Sequence, residues 1–237
     1  MNYAIILSAG IGSRVENIDI PKQYYKVNNI PIIVYTLKTF VDINCFDYIY
    51  IPVDEKCKDY FNTLLEEYFD NETISRINLV NGGSERIDSI KNAIKIIEKN
   101  EIADDDIILI HDGVRPFVTE KIILDNLKYV KEYTVCATSS PVNDTIFQST
   151  NAEFVDNIPI RSTLFCGQSP DTFNLKKFIY MINNITEDQK KKITGTADIC
   201  KFFNIPIKMV KGDNINFKIT TASDLKMAEL ILKDRGF

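Results

Sequence analysis

The sequence has few of the residues that most often carry nucleophilic or zinc chemistry. It contains one histidine, His111, and its five cysteines are scattered without a C-x-x-C pair. A Ser-His-Asp or Cys-His triad and a Cys/His zinc site are therefore both disfavoured. The cysteines are interpreted as small buried hydrophobic residues in a reducing compartment.

Long apolar runs and an excess of positive charge are also absent. No stretch approaches the roughly 18 uninterrupted apolar residues of a membrane span, and the first residues read as a core strand rather than a signal peptide. The formal net charge is -5, which argues against wrapping a nucleic-acid backbone. The run Lys190-Lys191-Lys192 is interpreted as a solvated face. We expect a cytoplasmic protein without membrane or nucleic-acid partners, which binds any phosphate with a few placed cations.

The loop after the first apolar run lacks two common phosphate-binding signatures. It reads Ser8-Ala9-Gly10-Ile11-Gly12-Ser13-Arg14, with Pro21-Lys22-Gln23 soon after. Val15 stands where a dinucleotide-binding loop has its third glycine, and no Gly-Lys-Ser/Thr is present. The two glycines still let backbone N–H groups approach an anion, and Arg14 and Lys22 add positive charge. The loop is interpreted as a phosphate cradle, with a tight turn and a solvated arginine as the alternative.

Short apolar runs alternate with segments of helical periodicity along the 237 residues. We predict strands at 3–7, 48–53, 77–80, 107–110, 135–139 and 207–210, and helices at 32–40, 58–69, 84–99, 120–132 and 222–233. This alternation predicts an α/β fold with a mostly parallel, doubly wound sheet. Residues 1–237 are expected to form one domain. Ligands in such a domain bind beyond the carboxyl ends of the strands.

One region departs from this pattern. Residues 144–168 alternate between apolar and polar side chains around a polar turn at 149–152. This alternation predicts a β-hairpin arm inserted in the domain. Because a hairpin is marginally stable alone, a second subunit is the expected partner of the arm, and we expect a homodimer.

A carboxylate follows the buried run 107–110. Asp112 comes after His111 and shortly before Arg115-Pro116, beside the expected phosphate loop. A carboxylate in that place suits Mg²⁺, which takes one or two carboxylates together with phosphate oxygens. The alternative is an Asp–Arg pair that only fixes the loop. His111 is interpreted as a satisfied loop or core histidine rather than an acid–base group.

Taken together, these motifs resemble a known family. They are Ala9-Gly10-x-Gly-x-Arg14, Pro21-Lys22-Gln23, Gly82-Gly83-x-x-Arg86-x-x-Ser89, His111-Asp112-x-x-Arg115-Pro116, Asp144-Thr145 and Phe217-Lys218-Ile219-Thr220. The chain is similar, over essentially its whole length, to the cytidylyltransferases that make CDP-alditols. The resemblance implies a Rossmann-like nucleotidyltransferase fold, an enzyme that uses CTP and Mg²⁺, and a homodimer.

The resemblance also implies roles for individual residues. The implied catalytic cations are Arg14, Lys22, Arg161 and Lys218, with Arg161 reaching into the neighbouring subunit's site, and the implied Mg²⁺ ligand is Asp112. The implied CTP-binding residues are Leu7, Ser8, Ala9, Gly10, Gly12, Gly82, Gly83, Ser84, Arg86 and Ser89. The implied alditol-phosphate-binding residues are Arg115, Thr145, Arg161, Ser169 and Lys218.

The resemblance leaves open which alditol phosphate accepts the cytidylyl group. Residues 115–119, 158–173 and 218–226 look closer to the ribitol-phosphate branch of the family, although Asp171 stands where glutamine is usual. We therefore expect transfer of a cytidylyl group from CTP to D-ribitol 5-phosphate, giving CDP-ribitol for a teichoic acid, capsule or other cell-wall polymer. The alternative is a 2-C-methyl-D-erythritol 4-phosphate cytidylyltransferase of isoprenoid biosynthesis. A non-catalytic nucleotide-binding protein is a remoter alternative.

Overall fold

A seven-stranded sheet forms the centre of the molecule, with the strand order β5-β4-β1-β6-β8-β7-β9. The computed structural model describes residues 1–10 and 20–234. The sheet strands are β1 (Asn2–Leu7), β4 (Tyr48–Val53), β5 (Ile77–Asn81), β6 (Ile107–Asp112), β7 (Val135–Pro141), β8 (Phe165–Asn174) and β9 (Lys208–Lys211), and β2 (Lys26–Val27) pairs with β3 (Ile30–Pro31) in a separate ribbon. Every pairing in the large sheet is parallel except those of β8, which runs antiparallel to β6 and β7. The predicted α/β fold with a mostly parallel sheet is confirmed.

Helices cover both faces of this sheet. They are α1 (Ile32–Asp42), α2 (Lys58–Tyr68), α3 (Asn71–Ser75), α4 (Arg86–Ile97), α5 (Glu120–Tyr133), α6 (Leu175–Asn184), α7 (Glu187–Lys190) and α8 (Ala222–Asp234), with 3₁₀ turns at Lys22–Tyr24, Glu55–Cys57, Arg161–Thr163 and Thr196–Phe203. None of the helices described is long and apolar enough to cross a bilayer.

The strands are continuous apolar runs because both of their faces are buried. In β1, Ala4 and Ile6 enter one core with α1, α2 and α5, whereas Tyr3 and Ile5 enter a second core with α4 and α6. Alternate residues of a strand point to opposite faces, so a run of apolar residues supplies both cores. A third cluster packs α8 against the β2–β3 ribbon. These cores fix the carboxyl ends of β1, β5 and β6, where the candidate site lies.

The predicted arm ends earlier in the structure than the sequence indicated, because strand β8 begins within it. The predicted arm included residues up to 168, but β8 begins at Phe165 and lies between β6 and β7. Pro170, which follows a cis peptide bond, lies within the strand, and the register with β7 shifts between Ala137 and Ser139. Proline cannot donate to a ladder and is rare in central strands, so a strand was not expected from the local residues.

The predicted arm is an exposed excursion between β7 and β8. Its two sides are joined by one antiparallel bridge, Gln148 to Asn157, and at its base Val142 N donates to Leu164 O over 3.1 Å. Six large apolar side chains in it are exposed, namely Ile146, Phe147, Phe154, Val155, Ile158 and Ile160. The alternation in the sequence therefore corresponds to a hairpin-like loop with one bridge rather than to two regular strands.

Candidate active site

The first loop of the site leaves the carboxyl end of β1. Ser8 N donates to Pro52 O over 3.1 Å, which ties the loop to β4. The Gln23 side chain is buried, and its Nε2 donates to Ser8 O over 2.7 Å and to Gly10 O over 2.9 Å. These bonds satisfy two loop carbonyls and hold the described part of the loop, residues 8–10, against the turn that contains Gln23. Lys22, the residue before Gln23, lines the adjoining cavity, whereas Gly12 and Arg14 lie outside the described residues.

The second loop follows β5 and packs tightly against the first. A Cβ atom on Gly82 would lie 2.3 Å from the Cβ atom of Ala9, so only glycine permits this approach. A Cβ atom on Gly83 would lie 2.2 Å from the Cβ atom of Asp88. Gly83 N donates to Ser89 Oγ over 3.0 Å, and Ser84 Oγ donates to Asp88 Oδ2 over 2.8 Å. The loop is thus folded back on the first turn of α4.

Asp112 ends β6 and lies at the centre of a cluster of positive charge. Its carboxylate is paired with Arg86 Nη1, with Arg115 Nε at 3.3 Å and with Lys218 Nζ at 3.2 Å. Burial by itself raises the pKa of this carboxyl, but the three cations outweigh burial and hold the pKa well below its usual range. Three positive charges against one negative charge leave a local excess of two, which is suited to anions.

Further hydrogen bonds fix the two arginines of this cluster. Arg86 Nη2 donates to Thr196 Oγ1 over 2.9 Å, and Arg115 Nη1 donates to Asn216 O over 2.7 Å. The loop after β6 is also tied to the segment before α8, since Ile219 N donates to Val114 O over 3.0 Å. Within the described part of the chain, the buried Nε of Arg86 has no hydrogen-bond partner. A buried donor left unpaired at a cavity wall can pair with a ligand oxygen or with water.

His111 is buried beneath this cluster and acts as a structural residue. Its Nε2 lies 3.2 Å from Arg115 O and its Nδ1 lies 2.9 Å from Ser169 Oγ. Burial lowers the pKa of the imidazole to about 3, so the ring is neutral at physiological pH. A neutral ring that donates from Nε2 accepts the Ser169 proton at Nδ1, while Ser169 Oγ accepts from Asp112 N over 3.1 Å. His111 lies in β6 and is fully buried, so the arrangement agrees with the core alternative of its interpretation as a satisfied loop or core histidine.

Two cavities share the Asp112 cluster as a wall. The first, of about 480 Å³, is lined by the first and second loops, including Leu7, Ser8, Ala9, Gly10, Lys22, Gly83, Ser84 and Ser89. The second, of about 730 Å³, is lined by parts of β7 and β8 and by residues between Thr194 and Lys201. Arg86, Asp112 and Lys218 line both cavities. Both volumes are in the range of small-molecule sites.

The structure brings most of the implied site residues to these two cavities. Arg115 and Ser169 line the second cavity. Two implied residues of the arm are not part of either cavity in the described chain. Thr145 is exposed, and Arg161 is also exposed, with its Nη1 donating to Asn143 O over 3.2 Å.

Sequence reasoning missed two charged residues at this edge of the sheet. Lys190 was interpreted as part of a solvated face, but its side chain is 15% exposed and its Nζ lies 2.6 Å from Asp88 Oδ1 and 3.4 Å from Glu85 Oε2. Asp171 was noted only as a departure from the family pattern, but it is a buried carboxyl in the wall of the second cavity. A strand assignment for β8 would have placed Asp171 near Asp112, whereas no sequence signal links Lys190 to the second loop.

The donor set of the site is compatible with one Mg²⁺ ligand from the protein. No group of three or more His, Cys, Asp or Glu side chains arranged for a metal occurs in residues 1–10 and 20–234. A carboxylate has about four lone-pair positions. Arg86 donates to one on Oδ1 and Arg115 to one on Oδ2, while Lys218 Nζ lies at ion-pair distance, 3.2 Å, from Oδ2. One position on Oδ1 is left, which fits an ion that takes its other ligands from phosphate and water.

The doubly wound sheet places two cavities and their shared cluster of cations at the carboxyl ends of its strands, an arrangement suited to an enzyme that brings two anionic ligands together. The chain belongs to the family described as IspD, 2-C-methyl-D-erythritol 4-phosphate cytidylyltransferase, whose model matches residues 2–234. It is therefore a CTP-dependent cytidylyltransferase. The predicted enzyme class and the predicted cytidylyltransferase family are confirmed.

Solved structures agree with this assignment. The 2-C-methyl-D-erythritol 4-phosphate cytidylyltransferase of Francisella tularensis is 30% identical, with 97% of this chain and 98% of that chain covered and a TM-score of 0.79. The 4-diphosphocytidyl-2C-methyl-D-erythritol synthase of Anaerococcus prevotii is 25% identical, with 98% of both chains covered and a TM-score of 0.79. The cytidylyltransferase of Thermus thermophilus, at 19% identity and a TM-score of 0.72 over 98% of this chain and 100% of that chain, supports the fold.

Proposed function

We propose that the protein transfers the cytidylyl group of CTP to 2-C-methyl-D-erythritol 4-phosphate and releases pyrophosphate. The observation that carries the proposal is the position of the Asp112 cluster between two cavities. Its excess positive charge can neutralise two phosphate-bearing ligands at once, one in each cavity. The choice of acceptor follows the description of the family and the names of the similar solved structures. The expected preference for ribitol 5-phosphate receives no support from these comparisons.

In this proposal CTP occupies the first cavity and the acceptor occupies the second. The two glycine-containing loops bind CTP through backbone N–H groups, with the triphosphate toward Lys22 and, from the resemblance, toward Arg14. The phosphate of the acceptor lies against Arg115 and Lys218, which line the second cavity. The cations between the cavities reduce the repulsion between the two anions and hold them in contact.

The reaction needs no enzyme nucleophile or general base. An anionic oxygen of the acceptor phosphate attacks the α-phosphorus of CTP in line, and the bond from this phosphorus to the oxygen that bridges to the β-phosphate breaks. The bonding electron pair leaves with pyrophosphate, and the attacking oxygen has no proton to lose. The only histidine of the chain, His111, is buried and neutral, which is compatible with such a step. The protein contributes position and charge neutralisation.

We also propose Mg²⁺ as the cofactor. Asp112 would hold it through the remaining lone-pair position of Oδ1, with phosphate oxygens and water as the other ligands. When bound, Mg²⁺ supplies charge neutralisation on the triphosphate.

The test is pyrophosphate release from CTP and Mg²⁺ with a panel of acceptors. Ribitol 5-phosphate is the second candidate, because residues 115–119, 158–173 and 218–226 resemble that branch of the family. We expect the highest kcat/KM with 2-C-methyl-D-erythritol 4-phosphate, and glycerol 3-phosphate serves as a control with a shorter carbon chain and fewer hydroxyl groups. A higher kcat/KM with ribitol 5-phosphate would replace the proposed acceptor. No release with any acceptor would contradict the proposed reaction.

We further propose that the active form is a homodimer in which each arm completes the site of the other subunit. The support is the set of six exposed apolar side chains in the arm and the position of Arg161 away from the cavities described. Arg161→Ala and Lys218→Ala subunits, each inactive alone, should partly recover activity when mixed, because one hybrid site would contain both native residues. A heterodimer verified by two affinity tags that shows no recovery would contradict the shared site.

A further inference from the structure

Asp171 lies in the wall of the larger cavity without the partners that a buried carboxyl usually has. Asp171 is 6% exposed, and it lies in β8 between Ile110 of β6 and Ala137 of β7. The one hydrogen bond that the described residues give its side chain comes from Ala197 N to Oδ2, at 3.2 Å. In the same part of the chain no cation lies within ion-pair distance of it. Oδ1 is therefore available to a ligand.

Asp198, a second carboxyl in the wall of the same cavity, differs from Asp171 because both of its oxygens accept hydrogen bonds. Asp198 Oδ2 accepts hydrogen bonds from Thr194 N, Thr194 Oγ1 and Gly195 N, and Asp198 Oδ1 accepts one from Lys201 Nζ over 2.6 Å. Its oxygens are used to hold the turn that begins the 3₁₀ helix Thr196–Phe203. Burial without such bonds is unfavourable, and it raises the pKa of Asp171 to about 7, with Asp112 adding to the effect and Arg86 opposing it.

The register of the sheet gives the position of Asp171 relative to the cations. Asp171 lies directly opposite Ile110, and Asp112 is two residues further along β6. Two residues of a strand span roughly 7 Å, so Asp171 lies deeper in the cavity than the cluster that would bind the acceptor phosphate. A carboxyl disfavours a phosphate beside it, because the two like charges repel. The ligand atoms that suit this depth are neutral hydroxyl groups, which can donate to a carboxylate or accept from a carboxylic acid.

We infer that Asp171 is a specificity-determining residue that binds a hydroxyl group of the acceptor's carbon chain, on the side remote from its phosphate. This inference rests on the proposed transfer to an alditol phosphate. Asp171 selects polyol phosphates over phosphates that carry an apolar group at the same depth, since an apolar group would leave the buried carboxyl without a partner. The cations around Asp112 then bind one end of the acceptor, and Asp171 binds the other.

The test measures coupling between Asp171 and single hydroxyl groups of the acceptor. The dissociation constants of 2-C-methyl-D-erythritol 4-phosphate, ribitol 5-phosphate and their monodeoxy analogues are measured by calorimetry with the wild-type protein and with Asp171→Asn and Asp171→Ala. Removing the contacted hydroxyl from the better acceptor should weaken binding to the wild type about tenfold to hundredfold, the usual range for a hydrogen bond to a charged group. The same removal should weaken binding to Asp171→Ala by less than about threefold.

The matched control is Asp198→Asn, which changes a carboxyl of the same wall whose oxygens are already used. In this variant the loss on removing the hydroxyl should equal that of the wild type. An equal loss in the wild type and in both Asp171 variants would overturn the inference. If the alditol phosphates bind with the expected coupling but are not cytidylylated, the proposed reaction fails while the inference stands. If none of them binds the wild type, both fail.

Discussion

Replacement of Asp171 by Asn should make the protein more stable at neutral and alkaline pH but leave its stability in acid nearly unchanged. Burial raises the pKa of this carboxyl to about 7 in the folded protein, against roughly 4 in the unfolded chain. Between these two values the folded state binds a proton that the unfolded state has lost, so the free energy of unfolding of the wild type falls as the pH rises. Asn has nearly the same shape, stays neutral, and can still accept the hydrogen bond from Ala197 N.

The size of the effect follows from the same two pKa values. A separation of about three pKa units corresponds to about 4 kcal/mol, and the part lost between pH 5 and pH 7 is about 2 kcal/mol, because the carboxyl is already half ionised in the folded protein at pH 7. For a chain of 237 residues a loss of about 2 kcal/mol corresponds to roughly 4 to 8 °C in Tm. The other titrating groups, including His111 and Asp112, are common to both proteins and largely cancel in the comparison.

The assay is urea and thermal unfolding of the wild type and Asp171→Asn at pH 5, 6, 7 and 8, followed by circular dichroism. We expect the stability advantage of Asp171→Asn to grow steadily from pH 5 and to level off above pH 7. An advantage that is constant over this range, or that grows toward acid, would refute the reasoning, because it would mean that Asp171 does not hold a proton more tightly in the folded state. Equal m-values for the two proteins serve as the control that the unfolded states are comparable.

Two further predictions concern lysine residues, namely Lys22 in the wall of the first cavity and Lys190 beside the second loop. Lys22→Ala should lower kcat about 100-fold while changing the KM for CTP much less, because a cation near the triphosphate stabilises the transition state, where negative charge develops. An effect on KM alone would assign Lys22 to CTP binding. The control is Lys26→Ala, which changes an exposed lysine. Lys190→Ala should raise the KM for CTP about tenfold and leave the KM for the acceptor unchanged, because the charge-assisted bond from Lys190 to Asp88 fixes the second loop. The control is Lys191→Ala, which changes an exposed lysine and should change neither KM value. Equal changes in both KM values for Lys190→Ala would contradict a role confined to the loop.

The elements whose signals are local could be predicted from the sequence. Strand β1 and the loop after it follow from an apolar run that ends in glycines, and β6 with Asp112 follows in the same way. Helix α6 was missed although Phe178, Met181 and Ile182 have helical spacing, because the preceding strand β8 was not recognised. That strand contains Pro170 and polar residues, which normally argue against a central strand.

The partners within the site could not be predicted, because they come from distant parts of the chain. The first turn of α4, which contains Asp88, and helix α7, which contains Lys190, are brought together only by the packing of α4 and α6 on the sheet. The pairing of Asp171 opposite Ile110 depends likewise on the position of β8 between two other strands. Local propensity and periodicity describe single elements, whereas these contacts depend on how the elements are arranged.

The contacts of the Asp112 cluster also decide when the site forms during synthesis. Arg86 and Arg115 are made early, but the third cation is Lys218, and Asn216, which fixes Arg115 through its backbone oxygen, comes just before it. A nascent chain that already contains every described strand of the large sheet, through β9, therefore still lacks Lys218, a residue that lines both cavities. Premature termination before residue 216 would leave a chain with these strands but without the third cation and without the contact that fixes Arg115, so the Asp112 cluster is complete only when nearly the whole domain has been synthesised.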